Sequence, residues 1–167
     1  NTRLNDRSSA GIAARISAID ARLNALKAVP SEGLDRQQQR IRTNLILLMD
    51  AALEPARVVD YGSPLDTYGV WYLPYVINQN SGPTVDIPNI MEAQQSVRTA
   101  AEADDYLARL EQIPAALDGA LEKLRHDVEL GASPPDFIIS KAQAVVDAFA
   151  DAPADQNVLY SSFVAKL

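Results

Sequence analysis

Apolar side chains recur with the period of an α-helix along most of this 167-residue chain, and this pattern constrains the fold more than any other feature. The first apolar stripe, with alternating spacings of four and three, consists of Ile12, Ile16, Ile19, Leu23 and Leu26. Such spacing places the side chains on one face of an amphipathic helix. Ser8 or Ser9 can cap the start of this helix, and Pro30 follows its end.

A second helix is predicted from about Leu34 to Ala52. Its apolar stripe consists of Leu34, Ile41, Leu45, Leu48 and Ala52. Pro55 ends this helix, because the residue before a proline is disfavoured in the helical conformation. The turn of residues 30–33 is short, so the two helices are expected to pack against each other as an antiparallel hairpin.

Further helices are predicted in the last third of the chain. Thr99 and Glu102 have the spacing of a capping box at the start of this region. The stripes that follow are Ile113, Leu117, Leu121, Leu124 and Val128, then Phe137, Ile138, Val145 and Phe149 with the stem of Lys141, and finally Leu159, Phe163 and Leu167. The last stripe reaches the final residue without a stop signal, which suggests a truncated chain.

The helical period is lost between Pro55 and Pro88. This stretch holds five of the ten prolines, three of the seven glycines, four of the six tyrosines and the single tryptophan. Val70–Leu73 resembles a short strand, although Pro74 weakens that interpretation. We therefore predict a helical hairpin in residues 1–54, an irregular aromatic and proline-rich segment in residues 55–98, and a helical segment in residues 99–167.

Since the chain shows no sustained period-two alternation, the predicted fold class is all-α. The expected architecture is a bundle of about five to seven helices that forms part of a larger, mainly helical protein.

The net charge of −7 argues against nucleic acid and anionic membrane surfaces as partners, because both are bound through clustered Lys and Arg. No apolar run approaches the ~18 residues that a membrane span needs. The chain has no cysteine and a single histidine, His126, so a zinc site of the usual kind is not expected within it. His126 lies on the polar side of its helix and is interpreted as a solvated surface residue. No catalytic and no metal-binding residue is assigned.

The aromatic segment supplies the candidate binding residues. Tyr and Trp combine an apolar body with a polar tip and are common at binding surfaces. The substrate-binding candidates are Trp71, Tyr72, Tyr75, Asn78 and Gln79. Two interpretations stay open: the rings fill a gap between two helical halves, as we expect for Trp71, or they line a cleft. The run from Asn78 to Pro83 is also typical of turns.

Several short runs occur in an order and spacing that resemble one bacterial family. These runs are Tyr75–Pro83, Ile87–Asn89, Tyr106–Pro114, Leu117–Asp118 and Gly131–Pro135. Together they resemble the amino-terminal half of the family called domain of unknown function 885. The resemblance implies a large, mainly helical zinc metallopeptidase of the gluzincin type, often exported or lipid-anchored. It places a His-Glu-x-x-Pro-Gly-His zinc motif in the carboxy-terminal half, and this sequence contains no such motif.

The expected function is therefore that of the amino-terminal helical portion of a zinc-dependent peptidase-like protein. This portion would form a wall or lid of a cleft, with a peptide-like substrate and the carboxy-terminal part of the same protein as partners. No cofactor is expected within this chain, and zinc is implied for a longer parent only. The alternative is a non-enzymatic helical module that binds or scaffolds other molecules.

The reading frame after Leu167 would discriminate between these two functions. Continuation into the zinc motif favours the peptidase, and a stop codon favours the module. If partner helices are missing, the stripe of Leu159, Phe163 and Leu167 is expected to be exposed and to favour a homodimer.

We expect the chain alone neither to bind zinc tightly nor to hydrolyse peptides. A catalytic zinc normally has three protein ligands, and His126 is the single imidazole in the sequence. Metal analysis after mild chelation should find no stoichiometric zinc. Zinc that is retained in the chain and lost in His126→Ala would contradict this prediction.

Overall fold

A computed structural model of the chain describes residues 2–64 and 71–167. Its helices are α1 (Ser9–Ala28), α2 (Arg36–Leu53), α3 (Pro83–Ala93), α4 (Ala100–Leu110), α5 (Ile113–Glu129), α6 (Asp136–Asp151) and α7 (Val158–Lys166), and a 3₁₀ helix, Pro55–Arg57, follows α2. The two strands are β1 (Ser63–Pro64) and β2 (Tyr72–Leu73). The predicted mainly helical fold is confirmed. Within the described residues, no helix is both long and apolar enough to cross a membrane.

The first two helices form the predicted hairpin. Ser8 caps α1, because its hydroxyl accepts a hydrogen bond from the Gly11 backbone N–H (3.1 Å). Asp35 and Gln38 form a reciprocal capping box at the start of α2. The two helices pack through a small apolar cluster whose members are Ile16, Ile19, Leu23, Ile46, Met49 and Leu53.

A larger apolar cluster forms around Tyr106 of α4. Its buried members are Ile87, Met91, Val97, Tyr106, Ala116 and Leu159. The Tyr106 hydroxyl donates a 2.7 Å hydrogen bond to the backbone carbonyl of Leu159, so the buried ring also satisfies its one polar group. The Phe163 ring packs at 5.0 Å from the Tyr106 ring. This cluster joins α3, α4, α5 and α7 into one core.

The tail of the chain packs differently from the sequence expectation. We expected Leu159, Phe163 and Leu167 to be exposed together, and this is wrong: Leu159 is buried, Phe163 contacts the Tyr106 cluster, and Leu167 is 80% exposed. The Lys166 ammonium donates to the backbone carbonyls of Met91 (2.6 Å) and Gln95 (2.8 Å). These bonds tie the last helix to the end of α3.

The middle segment is less irregular than predicted. Strands β1 and β2 pair antiparallel, which agrees with a short strand near Leu73; Tyr68 and Val70 lie outside the described residues. Helix α3 follows within the segment predicted to be irregular, and it contains Pro88. An interior proline costs a helix roughly 3 kcal/mol. Burial of Ile87, Pro88 and Met91 in the core offsets that cost. The sequence did not predict α3, because the helical period is lost in this stretch.

Several members of the predicted stripes are exposed, although others, such as Ala52, Ile113 and Phe149, face the core. The exposed members are Ile41, Leu45, Leu48, Leu121, Val128 and Phe137. Helix α5 instead buries Ala116, Ala120, Lys123 and Asp127. Its small residues allow a close approach: a Cβ on Gly119 would lie 2.8 Å from the Ser8 backbone nitrogen. The backbone at the start of α1 therefore determines which face of α5 is buried.

Removal of the Tyr106 hydroxyl in Tyr106→Phe should lower the free energy of unfolding by about 1–2 kcal/mol, because the Leu159 carbonyl loses its hydrogen bond inside the core. Denaturant unfolding measures this loss. The matched control is Tyr160→Phe, which removes the same group from an exposed side chain and should change stability by less than about 0.5 kcal/mol. Equal effects of the two substitutions would contradict the assignment.

Candidate functional site

A cleft of about 420 Å³ lies between α1 and α5, beside the loop that follows α2. We call it the α1/α5 cleft. Its lining residues are Ser9, Ile12, Ala13, Ile16, Ser17, Ala56, Val59, Asp60, Gly62, Tyr72, Lys123, His126 and Leu130. About half of these residues carry apolar side chains, and the rest are mostly polar or charged. The volume is in the range of sites that bind small molecules or short segments of chain.

One wall of the cleft is held by a buried ion pair. The Lys123 ammonium and the Asp127 carboxylate lie 2.6 Å apart on successive turns of α5, and their side chains are 4% and 2% exposed. Lys123 also donates to the Asp60 carbonyl (3.0 Å), and Asp127 accepts from the Gly62 backbone N–H (3.1 Å). The pair therefore binds the 60–62 loop to α5. A buried pair needs such further partners to offset its desolvation.

Glycine is required where this loop turns into β1. Gly62 has φ +82°, a conformation that side chains disfavour, and a Cβ there would lie 2.3 Å from the Leu73 carbonyl oxygen. Only a residue without a Cβ lets the loop approach both β2 and Asp127. The β1–β2 pair and helix α5 are thus joined at one point on the cleft wall.

Tyr72 projects from β2 into the cleft lining. Its hydroxyl donates a 2.8 Å hydrogen bond to the Tyr61 carbonyl. Burial, assisted by the negative charge of Asp127, raises the pKa of Tyr72 to about 12. The hydroxyl is therefore neutral at physiological pH, and its oxygen can accept a hydrogen bond from a ligand in the cleft.

His126 is the other polar side chain of interest in the cleft. It is half-buried on α5, between Lys123 and Asp127 in sequence. Nearby, Glu122 accepts a 2.7 Å hydrogen bond from the Ser9 backbone N–H, which is the main cause of a lowered pKa of Glu122; the charge of His126 contributes less. His126 is thus less exposed than a fully solvated surface residue would be. The imidazole lines the same cleft as Tyr72 and can exchange hydrogen bonds with a ligand.

Of the polar residues in this cleft, Tyr72 is predicted by the sequence, and Lys123, Asp60 and His126 are not predicted as binding residues. A signal was present: Lys123 and Asp127 are four residues apart and share a helix face with the small residues Ala116 and Ala120. Charges on a small-residue face indicate a buried pair. The apolar stripe of Leu117, Leu121 and Leu124 on the same helix is a stronger pattern, and it predicted a different buried face.

The other four predicted binding residues do not line the α1/α5 cleft. Trp71 is 67% exposed, so the expectation that its ring fills the core is wrong. Asn78 is occupied by its own turn: its amide nitrogen donates to the Ser81 hydroxyl (2.6 Å), and its amide oxygen accepts from the Asn80 N–H (2.8 Å). Tyr75 and Gln79 are half-buried, and the Gln79 amide oxygen accepts no hydrogen bond from the described residues.

The described residues do not fit a zinc ion. Across residues 2–64 and 71–167, no three His, Asp or Glu side chains lie together so that they could hold a metal ion. His126 has Asp127 and Glu122 near it in sequence, but Asp127 already pairs with Lys123, and Glu122 accepts from Ser9.

A family model for bacterial proteins of unknown function, DUF885, matches residues 1–167. The chain therefore belongs to this family, which confirms the resemblance stated from the sequence. No curated protein sequence matches the chain.

The fold is similar to a solved structure, the crystal structure of the "putative lipoprotein from Colwellia psychrerythraea". The two share a TM-score of 0.85 at 21% sequence identity, over 99% of this chain. The match covers 28% of the length of that protein.

The Lys123–Asp127 pair should show strong coupling in a double-mutant cycle of Lys123→Met and Asp127→Leu. Each single substitution leaves one buried charge without its partner, which typically costs about 3–5 kcal/mol, whereas the double substitution leaves neither charge. We expect a coupling energy of about 2–3 kcal/mol from denaturant unfolding.

The control cycle uses the exposed pair of Lys27 and Asp50, which are 3.3 Å apart and about half exposed. Its coupling should be much smaller, because water screens both charges. Similar coupling in the two cycles would show that burial does not strengthen the Lys123–Asp127 pair.

Proposed function

We propose that this chain is the amino-terminal helical portion of a zinc-dependent peptidase-like protein, and that the α1/α5 cleft contributes to its substrate-binding groove. Membership of the DUF885 family supports the proposal. The sequence resemblance to that family is what implies a metallopeptidase of the gluzincin type. The observation that carries the proposal is the cleft itself, in which Tyr72 and His126 lie beside the apolar side chains of Ile12, Ile16, Val59 and Leu130. Zinc would be held outside this chain, because the described residues offer no set of ligands.

A peptide-like substrate suits the chemistry of the cleft. Ile12, Ile16, Val59 and Leu130 provide apolar surface for a substrate side chain. The Tyr72 oxygen can accept a hydrogen bond from a backbone N–H, and the His126 imidazole offers a second polar contact. The role of this chain is thus to bind and orient the substrate and to exclude water, without proton transfer.

The whole-protein context is part of the same proposal. The chain spans less than a third of its structural neighbour, so its partner would be the remaining part of a longer chain. That neighbour is named a "putative lipoprotein". By analogy, export from the cytoplasm or lipid anchoring would place the proposed peptidase outside the bacterial inner membrane.

A second candidate is a non-enzymatic helical module that binds or scaffolds another macromolecule. One observation favours it: Ile41, Leu45 and Leu48 of α2 are exposed at spacings of four and three, with Leu47 exposed beside them. An apolar helical stripe of this kind is suited to docking on another surface. It is separate from the α1/α5 cleft.

Activity of the complete natural protein tests the proposal. The zinc-loaded protein, incubated with a mixture of peptides and followed by mass spectrometry, should cleave peptides, and a chelator should abolish the cleavage. His126→Ala and Tyr72→Phe should each raise KM about two- to tenfold with little change in kcat, because each removes a hydrogen bond made equally to substrate and transition state.

Tyr160→Phe, a substitution on the exposed face of α7, is the control and should leave KM unchanged. Absence of any zinc-dependent cleavage would favour the non-enzymatic module. Cleavage with KM unchanged in both cleft variants would place substrate binding elsewhere in the protein.

A further inference from the structure

Helix α2 carries apolar side chains on two faces, and one of these faces is exposed. The inner face contributes Ile46 and Met49 to the small apolar cluster that α2 shares with α1. The second face holds Ile41, Leu45 and Leu48, which are 51%, 42% and 45% exposed. We call these three residues the outer stripe. A helix that is apolar on more than one face is typical of a helix with neighbours on both sides.

The outer stripe is continuous with the buried end of α2. Ile41, Leu45 and Leu48 follow one another at spacings of four and three, and the next position on the same face is Ala52, which is 2% exposed. Such a row of apolar residues is the pattern of a seam between two packed helices. The stripe therefore starts at a buried residue and continues along α2 as a surface suited to one further helix.

Helix α2 has few neighbours that could cover this stripe. Among the described elements, it packs substantially against α1 and the 3₁₀ helix only. The stability of a helix in a protein comes mainly from the packing of its apolar faces against other elements. A second neighbour on the outer stripe would therefore stabilise α2, because it would remove the three aliphatic side chains from water.

Two occupants fit an apolar stripe of this kind, a second copy of the chain or another part of the same polypeptide. A standard interface between separate proteins buries ~800 Å² on each partner. Three aliphatic side chains that are each about half exposed supply only a fraction of that area. A helix on the same polypeptide needs less area, because the connection raises its effective concentration at the stripe. The small area therefore favours an occupant from the same polypeptide.

The length of the structural neighbour favours the same occupant. The match covers 99% of this chain, but it covers only 28% of the Colwellia psychrerythraea protein. More than two thirds of that protein therefore lie outside the matched part. A fold of this kind thus occurs within a polypeptide that has ample further chain to supply a packing helix.

We propose that the outer stripe of α2 is the docking surface for an amphipathic helix from the remaining part of the same polypeptide. The inference rests on the part of the proposed function that makes this chain a portion of a longer protein. It does not require that this protein is a peptidase. Helix α1 packs on α2 and also lines the α1/α5 cleft, so docking on α2 would hold one wall of that cleft against the rest of the protein.

Thiol labelling of the complete natural protein tests this docking. Leu45→Cys and Leu48→Cys each place a thiol in the outer stripe, and Thr43→Cys places one on the other, exposed side of the same helix. The chain has no cysteine of its own, and the unsubstituted protein gives the background rate. In native buffer, a maleimide should react with the stripe thiols about tenfold or more slowly than with the Thr43→Cys thiol, because a packed helix excludes the reagent until it opens.

Two controls make the rates comparable. All three thiols should react at similar rates in denaturant, where no helix is packed. Thermal unfolding shows whether each variant keeps its fold, and a stripe variant with a lowered midpoint is replaced by Ile41→Cys. Slow labelling of the stripe thiols that is unchanged when the protein is diluted supports the proposal.

Two results would overturn the docking. Equal native rates for the stripe thiols and the Thr43→Cys thiol would leave the stripe free for a separate macromolecule, as the second candidate function requires. Slow labelling that is lost on dilution, together with a dimer in sedimentation, would identify a second copy as the occupant. The labelling uses neither zinc nor substrate, so slow labelling without peptide cleavage would support the docking and refute the peptidase alone.

Discussion

The buried ion pair of Lys123 and Asp127 is the interaction on which the arrangement of the α1/α5 cleft depends. It connects α5 to the 60–62 loop, through the Asp60 carbonyl and the Gly62 N–H. Tyr72 lies on the strand that pairs with the end of this loop. The position of the tyrosine hydroxyl in the cleft therefore follows from an electrostatic contact made on α5. Hydrophobic burial alone would not specify it, because apolar contacts have little directional preference.

A second constraint is the close approach of α5 to the start of α1. Gly119, Ala116 and Ala120 are small, so the Ser8 backbone can approach this face of α5 closely. Burial of this small-residue face turns larger side chains such as Leu121 and Val128 outward. Helix α5 therefore buries less apolar surface against the rest of the chain. It forms a close backbone contact and a buried ion pair instead. As a consequence, α5 exposes Leu121 and Val128 and buries the Lys123–Asp127 ion pair.

The segment before α1 makes polar contacts with parts of the chain that are distant in sequence. Arg7, near its end, pairs with Asp86 on α3, while Ser8 begins α1 and Ser9 binds Glu122 of α5. A short stretch of extended chain therefore contacts three helices through polar bonds. Its sequence contains no pattern that would have predicted this, because these contacts join residues 79 and 113 positions apart.

The sequence by itself determined the helical class, the α1–α2 hairpin and the ends of α1 and α2, because apolar period and capping residues act within a few positions of the chain. It also named Tyr72 as a candidate binding residue, because a tyrosine combines an apolar ring with a polar hydroxyl. Only the tertiary structure decided which face each helix buries, that α3 forms despite Pro88, that Trp71 is exposed, and that His126 lines a cleft. These outcomes depend on contacts between distant residues, such as Gly119 with Ser8 and Asp127 with Gly62, whose energies exceed local preferences and leave no periodic trace in the sequence.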